Sequence, residues 1–98
     1  MSEPVVVPKR MGILFYEYVP DIAEKRPLHR AEHLALAREW HADGRMVIAG
    51  AYGDPLDGGV LVFRDKATAE EFASIDPYVR NGLVTNWRVR DWDVVIGG

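Results

Sequence analysis

Apolar residues in this chain fall into short blocks, and the spacing within each block indicates its structure. Four blocks are rich in β-branched or aromatic residues at successive positions, which is typical of strands. The first block, MGILFYEYV, is closed by Pro20, which lacks the N–H that a strand ladder needs. The third block follows the turn sequence DPLDGG. The sequence therefore predicts strands at residues 11–19, 45–53, 60–65 and 83–96.

Two other segments carry their apolar residues at helical spacing. In the longer one, Leu34, Ala37 and Trp40 fall on one side and acidic residues fall on the other. Pro27 suits a first helical position and Gly44 suits the position after the last turn. Residues 20–26 are polar and indicate a connection. The sequence predicts helices at residues 27–44 and 66–75, the second capped by Asp65 and followed by a compact connection at 76–82.

The predicted order is β-α-β-β-α-β, the split βαβ or ferredoxin-like arrangement. This α+β class places two helices on one face of a four-stranded antiparallel sheet. The chain has 98 residues, which is the size of one domain. We expect residues 1–10 to form a disordered tail and residues 11–96 to form the single domain.

The predicted sheet has more apolar surface than two helices can cover. MVIA and VLVF, in the second and third strands, are apolar at successive positions, so both faces of these strands carry apolar side chains. An antiparallel sheet with one solvated face normally alternates apolar and polar residues. We therefore expect the face without helices to pack on a second copy of the chain, although the strand ends or the tail could also cover it.

Composition narrows the classes of function. A net charge of −3 and a pI of about 5.5 give no basic surface for nucleic acid. The absence of cysteine excludes disulfides, thiolate catalysis and cysteine-bound zinc. No apolar run approaches the roughly 20 residues that span a bilayer, and the start of the chain does not have the order of a signal peptide. We expect a cytoplasmic protein that binds neither nucleic acid nor membrane.

Two ionisable residues occupy positions where apolar side chains are expected. His33 lies beside the apolar arc of the first helix, and Asp76 takes the inward spacing of the second helix, four residues after Phe72. A buried polar group needs a partner, and the two helices of this fold lie side by side. Histidine can transfer protons near neutral pH, and a carboxylate on one ring nitrogen fixes its tautomer. The pair is a candidate catalytic site, but a core histidine and a turn aspartate explain the same spacing.

Other candidate residues are less specific. Arg30 lies beside the same arc and could hold an anionic substrate oxygen, and Tyr16 and Tyr78 could offer hydroxyls to a ligand, although such tyrosines also serve packing. His29 and His33 have the spacing of two helical metal ligands but lack a third, so we predict no metal site. The glycine-rich GAYGDPLDGG lacks the spacing of a nucleotide-binding loop and indicates a hairpin turn or a loop over a pocket.

The residues that carry these candidates also resemble a known family. RAEHLALAREWHADGRMVIAGAY, followed by ASIDPYVRNGLVTNWRVRDW, resembles the YciI-like (YCII-related) proteins across roughly residues 11–95. The matching positions are Arg30, His33, His41, Gly44 and Gly50, then the run from Asp76 to Val79 together with Gly82. The resemblance implies a ferredoxin-like dimeric α/β barrel with a His-Asp pair, here His33 and Asp76, lining a small pocket. One branch of the family removes chloride from chlorinated hydroxyquinols, and most members have no assigned reaction.

These observations lead to two expectations for function. The first is a small-molecule enzyme without a cofactor, in which His33 and Asp76 perform general acid-base chemistry during isomerisation or elimination on a small cyclic or aromatic substrate. The second is a non-catalytic module that binds a small molecule or mainly dimerises. A purely structural role for the pair predicts a large stability loss on substitution and no ligand.

Overall fold

Residues 9–97 are described by the computed structural model, and the elements below refer to them. Strands and helices follow in the order β1 (Lys9–Tyr18), α1 (Ile22–Ala42), β2 (Met46–Gly53), β3 (Leu56–Phe63), α2 (Lys66–Ile75), α3 (Pro77–Arg80) and β4 (Val84–Val94). The strands form one sheet in the spatial order β2-β3-β1-β4, and every neighbouring pair is antiparallel. The predicted ferredoxin-like βαββαβ arrangement is confirmed, with the short helix α3 added before β4.

The core lies between the helices and one face of the sheet. Leu14 of β1 stands between Leu61 and Val89 on the adjacent strands, and its side chain is fully buried. Phe72 of α2 meets Trp40 of α1 edge to face at 5.2 Å between ring centroids. Burial of these rings is the main source of stability, and their edge-on contacts add about 0.5–1.5 kcal/mol per pair.

Helix α1 begins five residues earlier than predicted. Residues 20–26 read as a polar connection, yet the helix starts at Ile22 and Pro27 lies inside it. Pro27 forgoes one backbone hydrogen bond, because proline has no N–H. Ile22 compensates by packing against Tyr78 and Leu83, where it is 98% buried. Tertiary packing thus extends the helix past the residue that suggested its start.

Strand β3 also begins earlier than predicted, at Leu56 instead of residue 60. The glycines after DPLD suggested a turn, but both belong to the strand. A side chain at Gly58 would meet the Tyr52 ring, with Cε1 only 2.7 Å from a Cβ. Glycine therefore makes room for a tyrosine on the neighbouring strand, a role that local sequence cannot reveal.

The ends of the domain extend slightly beyond the predicted range. Lys9 and Arg10, assigned to a disordered tail, pair with Val94 and Asp93 in the sheet, so that part of the prediction is wrong. The reason is cross-strand pairing, which includes a bond from Arg10 Nε to Asp93 Oδ1 at 2.8 Å. The rest of the predicted tail, residues 1–8, and the terminal Gly98 lie outside the described residues.

Gly12 allows α2 to start directly against the sheet. A Cβ at this position would lie 2.7 Å from Lys66 Cα and closer still to the backbone carbonyl of Asp65. Gly12→Ala should therefore destabilise the fold by about 1–3 kcal/mol, as overpacking does. Urea unfolding would measure this loss, and Gly12→Val should lose more. A stabilisation would contradict the close approach, because an alanine without a clash gains about 0.4–1 kcal/mol.

Candidate active site

Asp76 occupies the junction between two helices. Pro77 disfavours helical geometry at the residue before it, and Asp76 accordingly adopts extended backbone angles after the last turn of α2. Its N–H still donates to the Phe72 carbonyl at 2.9 Å. Its carboxylate accepts from the Tyr78 N–H at 3.1 Å and so caps the start of α3. One residue thus ends α2 and begins α3.

The Asp76 carboxylate is fully buried and receives three hydrogen bonds. Besides the Tyr78 N–H, His33 Nδ1 lies 2.7 Å from Oδ1, and the Tyr16 hydroxyl donates to Oδ2 at 2.7 Å. Both carboxylate oxygens are therefore occupied by partners from three separate elements. The structure brings His33 and Asp76 into direct contact, as their spacing suggested, and joins Tyr16 to them.

The hydrogen bonds define the tautomer of His33. A carboxylate that accepts from Tyr16 and Tyr78 also acts as acceptor toward Nδ1, so Nδ1 carries the proton. In the neutral ring, Nε2 then carries the free lone pair. Nε2 makes no hydrogen bond within residues 9–97 and can accept a proton from a molecule beside it.

Aromatic contacts hold the His33 ring in one orientation. The Tyr78 ring stacks on it with 3.8 Å between centroids and 5° between planes. The Phe72 ring meets it edge-on at 6.4 Å. Because Asp76, Tyr78 and Phe72 all belong to the segment that includes α2 and α3, this segment orients the ring on three sides.

Burial keeps the hydroxyls of Tyr16 and Tyr18 protonated. It raises the pKa of Tyr16 far above its usual range, and the adjacent Asp76 carboxylate raises it further. Tyr16 therefore remains a hydrogen-bond donor to Asp76 and is not free to bind a ligand. Burial also raises the pKa of Tyr18 to about 12; nearby Tyr78 adds to the rise and Arg26 opposes it.

A small cleft of about 100 Å³ opens beside His33, between α1 and β2. Tyr78 contributes to its wall, and the Tyr78 hydroxyl is buried without a hydrogen-bond partner in residues 9–97. Leaving a buried hydroxyl unpaired costs about 1–3 kcal/mol, so this group is suited to pair with a bound molecule. Arg26, His33 and Tyr78 line the cleft on one side, and Ala49, Gly50 and Ala51 line it on the other.

The remaining predicted site residues lie away from this cleft. Arg30 is exposed and does not line it, whereas Arg26, in the segment read as a connection, does. His41 Nδ1 donates to the Met46 carbonyl at 3.0 Å and stabilises the connection from α1 to β2. The described part of the chain has no group of three or more His, Cys, Asp or Glu side chains placed to hold a metal ion.

The sequence of this chain matches a known domain family. The sequence model of the YCII-related domain matches residues 11–93, which is most of the chain. The chain belongs to the YCII-related domain family. A curated relative, an uncharacterised protein of Haemophilus influenzae, is 29% identical over 94 residues, covering 85% of this chain and 96% of that protein.

Solved structures resemble this YCII-related chain in fold. One is 5-chloro-2-hydroxyhydroquinone dehydrochlorinase from Burkholderia phenoliruptrix, in complex with 2,5-dihydroxybenzoquinone. Its TM-score is 0.70 at 19% identity, covering 85% of this chain and 93% of that one. Another is a protein of unknown function from Nitrosomonas europaea, with a TM-score of 0.55 at 15% identity and 96% of each chain covered. At these identities the likeness establishes the ferredoxin-like fold.

Within residues 9–97, no helix of this YCII-related domain is both long enough and apolar enough to cross a bilayer.

Proposed function

We propose that this protein is a small-molecule enzyme in which His33 transfers a proton and Asp76 orients it. The observation that carries the proposal is the free Nε2 of His33 at a cleft, with Nδ1 held 2.7 Å from a fully buried carboxylate. A histidine oriented in this way has one nitrogen committed to structure and the other available for chemistry.

The reaction that suits this arrangement begins with removal of a proton from the carbon next to a carbonyl, which in a phenol is present in the keto tautomer. Nε2 takes the proton, and the electron pair of the broken C–H bond moves toward the carbonyl, which becomes an enolate. Asp76 stabilises the imidazolium that forms. Return of the proton to another carbon completes an isomerisation. Departure of a leaving group with its electron pair, such as chloride, completes an elimination, and neither route requires a cofactor.

Similarity to the dehydrochlorinase supports elimination as one form of this chemistry. That protein is named for the removal of chloride from a hydroxyhydroquinone, and its fold matches this chain at a TM-score of 0.70. The cleft of about 100 Å³ is smaller than an engineered cavity of about 150 Å³ that binds benzene, so it limits the substrate to one small ring, part of which extends out of the cleft. We therefore propose a small cyclic or aromatic substrate.

The competing function is a module that binds a small molecule without converting it. The observation that favours it is the structural role of Asp76. Its carboxylate caps α3 and pairs with Tyr16 whether or not a reaction takes place. In this case the carboxylate would hold the cleft in shape, and His33 would only contact the ligand.

Deuterium incorporation separates the two functions. The wild-type protein is incubated in D₂O with a panel of single-ring ketones, lactones and chlorinated hydroxyquinols, and products are followed by NMR and chloride release. An enzyme should incorporate deuterium at the carbon next to the carbonyl or release chloride, and His33→Gln should abolish this. Binding of panel members with no exchange and no release would favour the module.

We also propose that two copies of the chain associate through the open face of the sheet, the face opposite the helices. This face carries an apolar depression of about 380 Å³, and its lining among the described residues has no charged side chain. Ile48 and Trp92, which line it, are 66% and 42% exposed. Contiguous exposed apolar surface of this kind is typical of an interface.

Ile48→Asp should separate the two copies, because a charge at the centre of an apolar interface is not paired. Light scattering after size exclusion should give twice the chain mass of 11.0 kDa for the wild type and the single mass for the variant. Leu28→Asp is the matched control, since Leu28 is 77% exposed on α1, away from this face. A wild-type protein that elutes as a monomer, or an Ile48→Asp variant that remains a dimer, would refute the proposed interface.

A further inference from the structure

Arg26 is a charged side chain of the cleft that the proton-transfer chemistry does not use. It is half-buried on α1, seven residues before His33, so the two side chains lie on the same side of the helix two turns apart. Within residues 9–97, no carboxylate lies within ion-pair distance of Arg26. Arg26 is thus a partly buried residue that lines the cleft and has no anionic partner in this part of the chain, so an anion bound in the cleft would supply one.

Two tyrosines that line the cleft together with Arg26 carry hydroxyls that can donate hydrogen bonds. The Tyr78 hydroxyl is buried and has no partner in the described part of the chain. Tyr18 is close to both groups. Its ring meets the Tyr78 ring edge-on at 6.3 Å, and the positive charge of Arg26 opposes the rise in the pKa of its hydroxyl. All three side chains line the same cleft, which therefore contains two hydroxyls and one positive charge.

We propose that the cleft selects a compact molecule carrying one negatively charged oxygen group, and that Arg26, not Arg30, recognises that charge while Tyr78 donates a hydrogen bond to it. The ligand class is a single-ring or smaller carboxylate, phenolate or enolate. A guanidinium that binds this oxygen also stabilises the enolate that forms when His33 removes a proton. This inference rests on the proposed function for the position of the substrate beside His33.

Arg30 is the alternative source of charge, and the structure distinguishes it from Arg26. Both lie on α1, four residues apart, but Arg30 is exposed and outside the cleft lining. An exposed arginine is fully hydrated and screened by salt, so it contributes little to recognition. Arg26 stands where water is partly excluded, and the same charge acts more strongly there.

The experiment measures binding of two matched probes by NMR titration of the ¹⁵N-labelled full chain. The probes are 2-furoate, a small-ring carboxylate, and 2-furamide, its neutral isostere. In the wild type, 2-furoate should shift the His33 ring signals and the amides of Gly50 and Ala51. It should bind at least about tenfold more tightly than 2-furamide, because a hydrogen bond to a charged group contributes roughly that factor or more.

Arginine variants then locate the charge. Arg26→Gln should weaken 2-furoate binding about tenfold or more, and Arg26→Lys should retain part of the affinity because it keeps the charge but loses the planar fork. Arg30→Gln should change it less than about twofold, the range of an exposed charge. Arg38→Gln is the control for net charge, since Arg38 is exposed on the same helix. The dispersion of the amide spectrum reports whether each variant is folded.

Three results would overturn the inference: equal binding of the two probes by the wild type, unchanged binding in Arg26→Gln, or an equal loss in Arg30→Gln. The wild-type comparison holds even if Arg26→Gln fails to fold. Failure of the proposed function has a different signature. If His33→Gln keeps full turnover while binding still depends on Arg26, proton transfer by His33 is refuted and the recognition of charge stands.

Discussion

Replacement of His33 with glutamine is expected to reduce turnover by about 10²–10⁴-fold, the usual contribution of a general acid or base. Glutamine has nearly the reach of histidine, and its amide N–H can still donate to Asp76, so the buried carboxylate keeps a partner. It has no group that accepts a proton near neutral pH. The measurement is kcat on whichever panel compound the wild type converts, together with urea unfolding to show that the fold is retained.

A second histidine provides the control for this variant. His41 is exposed, donates to a backbone carbonyl of the α1 to β2 connection, and does not line the cleft beside His33. His41→Gln should therefore leave turnover close to that of the wild type. If His33→Gln converted the substrate as fast as the wild type, His33 would not be the proton acceptor, whatever its contact with Asp76.

Removal of the Asp76 carboxylate should have the largest effect on stability. Asp76→Ala would leave the Tyr16 hydroxyl, the Tyr78 N–H and the His33 ring without their common acceptor, at a site with no exposure to water. The loss of one partner from a buried network costs about 3–5 kcal/mol, a large part of the 5–15 kcal/mol that stabilises a typical domain. Urea or thermal unfolding of the variant would measure this.

Two comparisons show whether burial is the cause. Asp93 also pairs with a cation across the sheet, but it is exposed, so Asp93→Ala should change stability little. Asp76→Asn retains the shape and one acceptor oxygen, so it should destabilise less than alanine while still reducing turnover, because the amide no longer fixes the His33 tautomer. A loss below about 1 kcal/mol in Asp76→Ala would mean that water replaces the carboxylate and that the three donors are not trapped.

The fold followed from sequence wherever local pattern and tertiary packing agree. The apolar runs around Leu14 and Leu61 are strands in the sequence and in the structure, and the spacing from Ala69 to Phe72 is a helix in both. The starts of α1 and β3 were predicted wrongly for the same reason, which is side-chain packing between different elements. Ile22 extends α1 because it packs against Tyr78, which is distant in sequence, and Gly58 belongs to a strand because Tyr52 covers it.

The sequence also predicted part of the candidate site. Asp76 and His33 stood out because each interrupts an apolar stripe, and the structure places them in contact. Arg26 was missed because the helix was expected to start after it. The signal was present in the spacing of Ile22, Arg26 and His33, four and seven residues apart. Tyr16 was expected to contact a ligand, but its hydroxyl pairs with Asp76, and no sequence pattern reveals that partner.

The position of Asp76 between α2 and α3 limits which residues of this domain can be substituted during evolution. Any change of Asp76 disturbs a helix end, a buried tyrosine and the histidine together, so the proposed His-Asp pair cannot drift without a large loss of stability. Arg26 and the residues 49–51 make no side-chain hydrogen bond to this junction and can vary at little structural risk. A mutant library designed for new substrates should therefore randomise Arg26 and the β2 wall and leave the junction untouched.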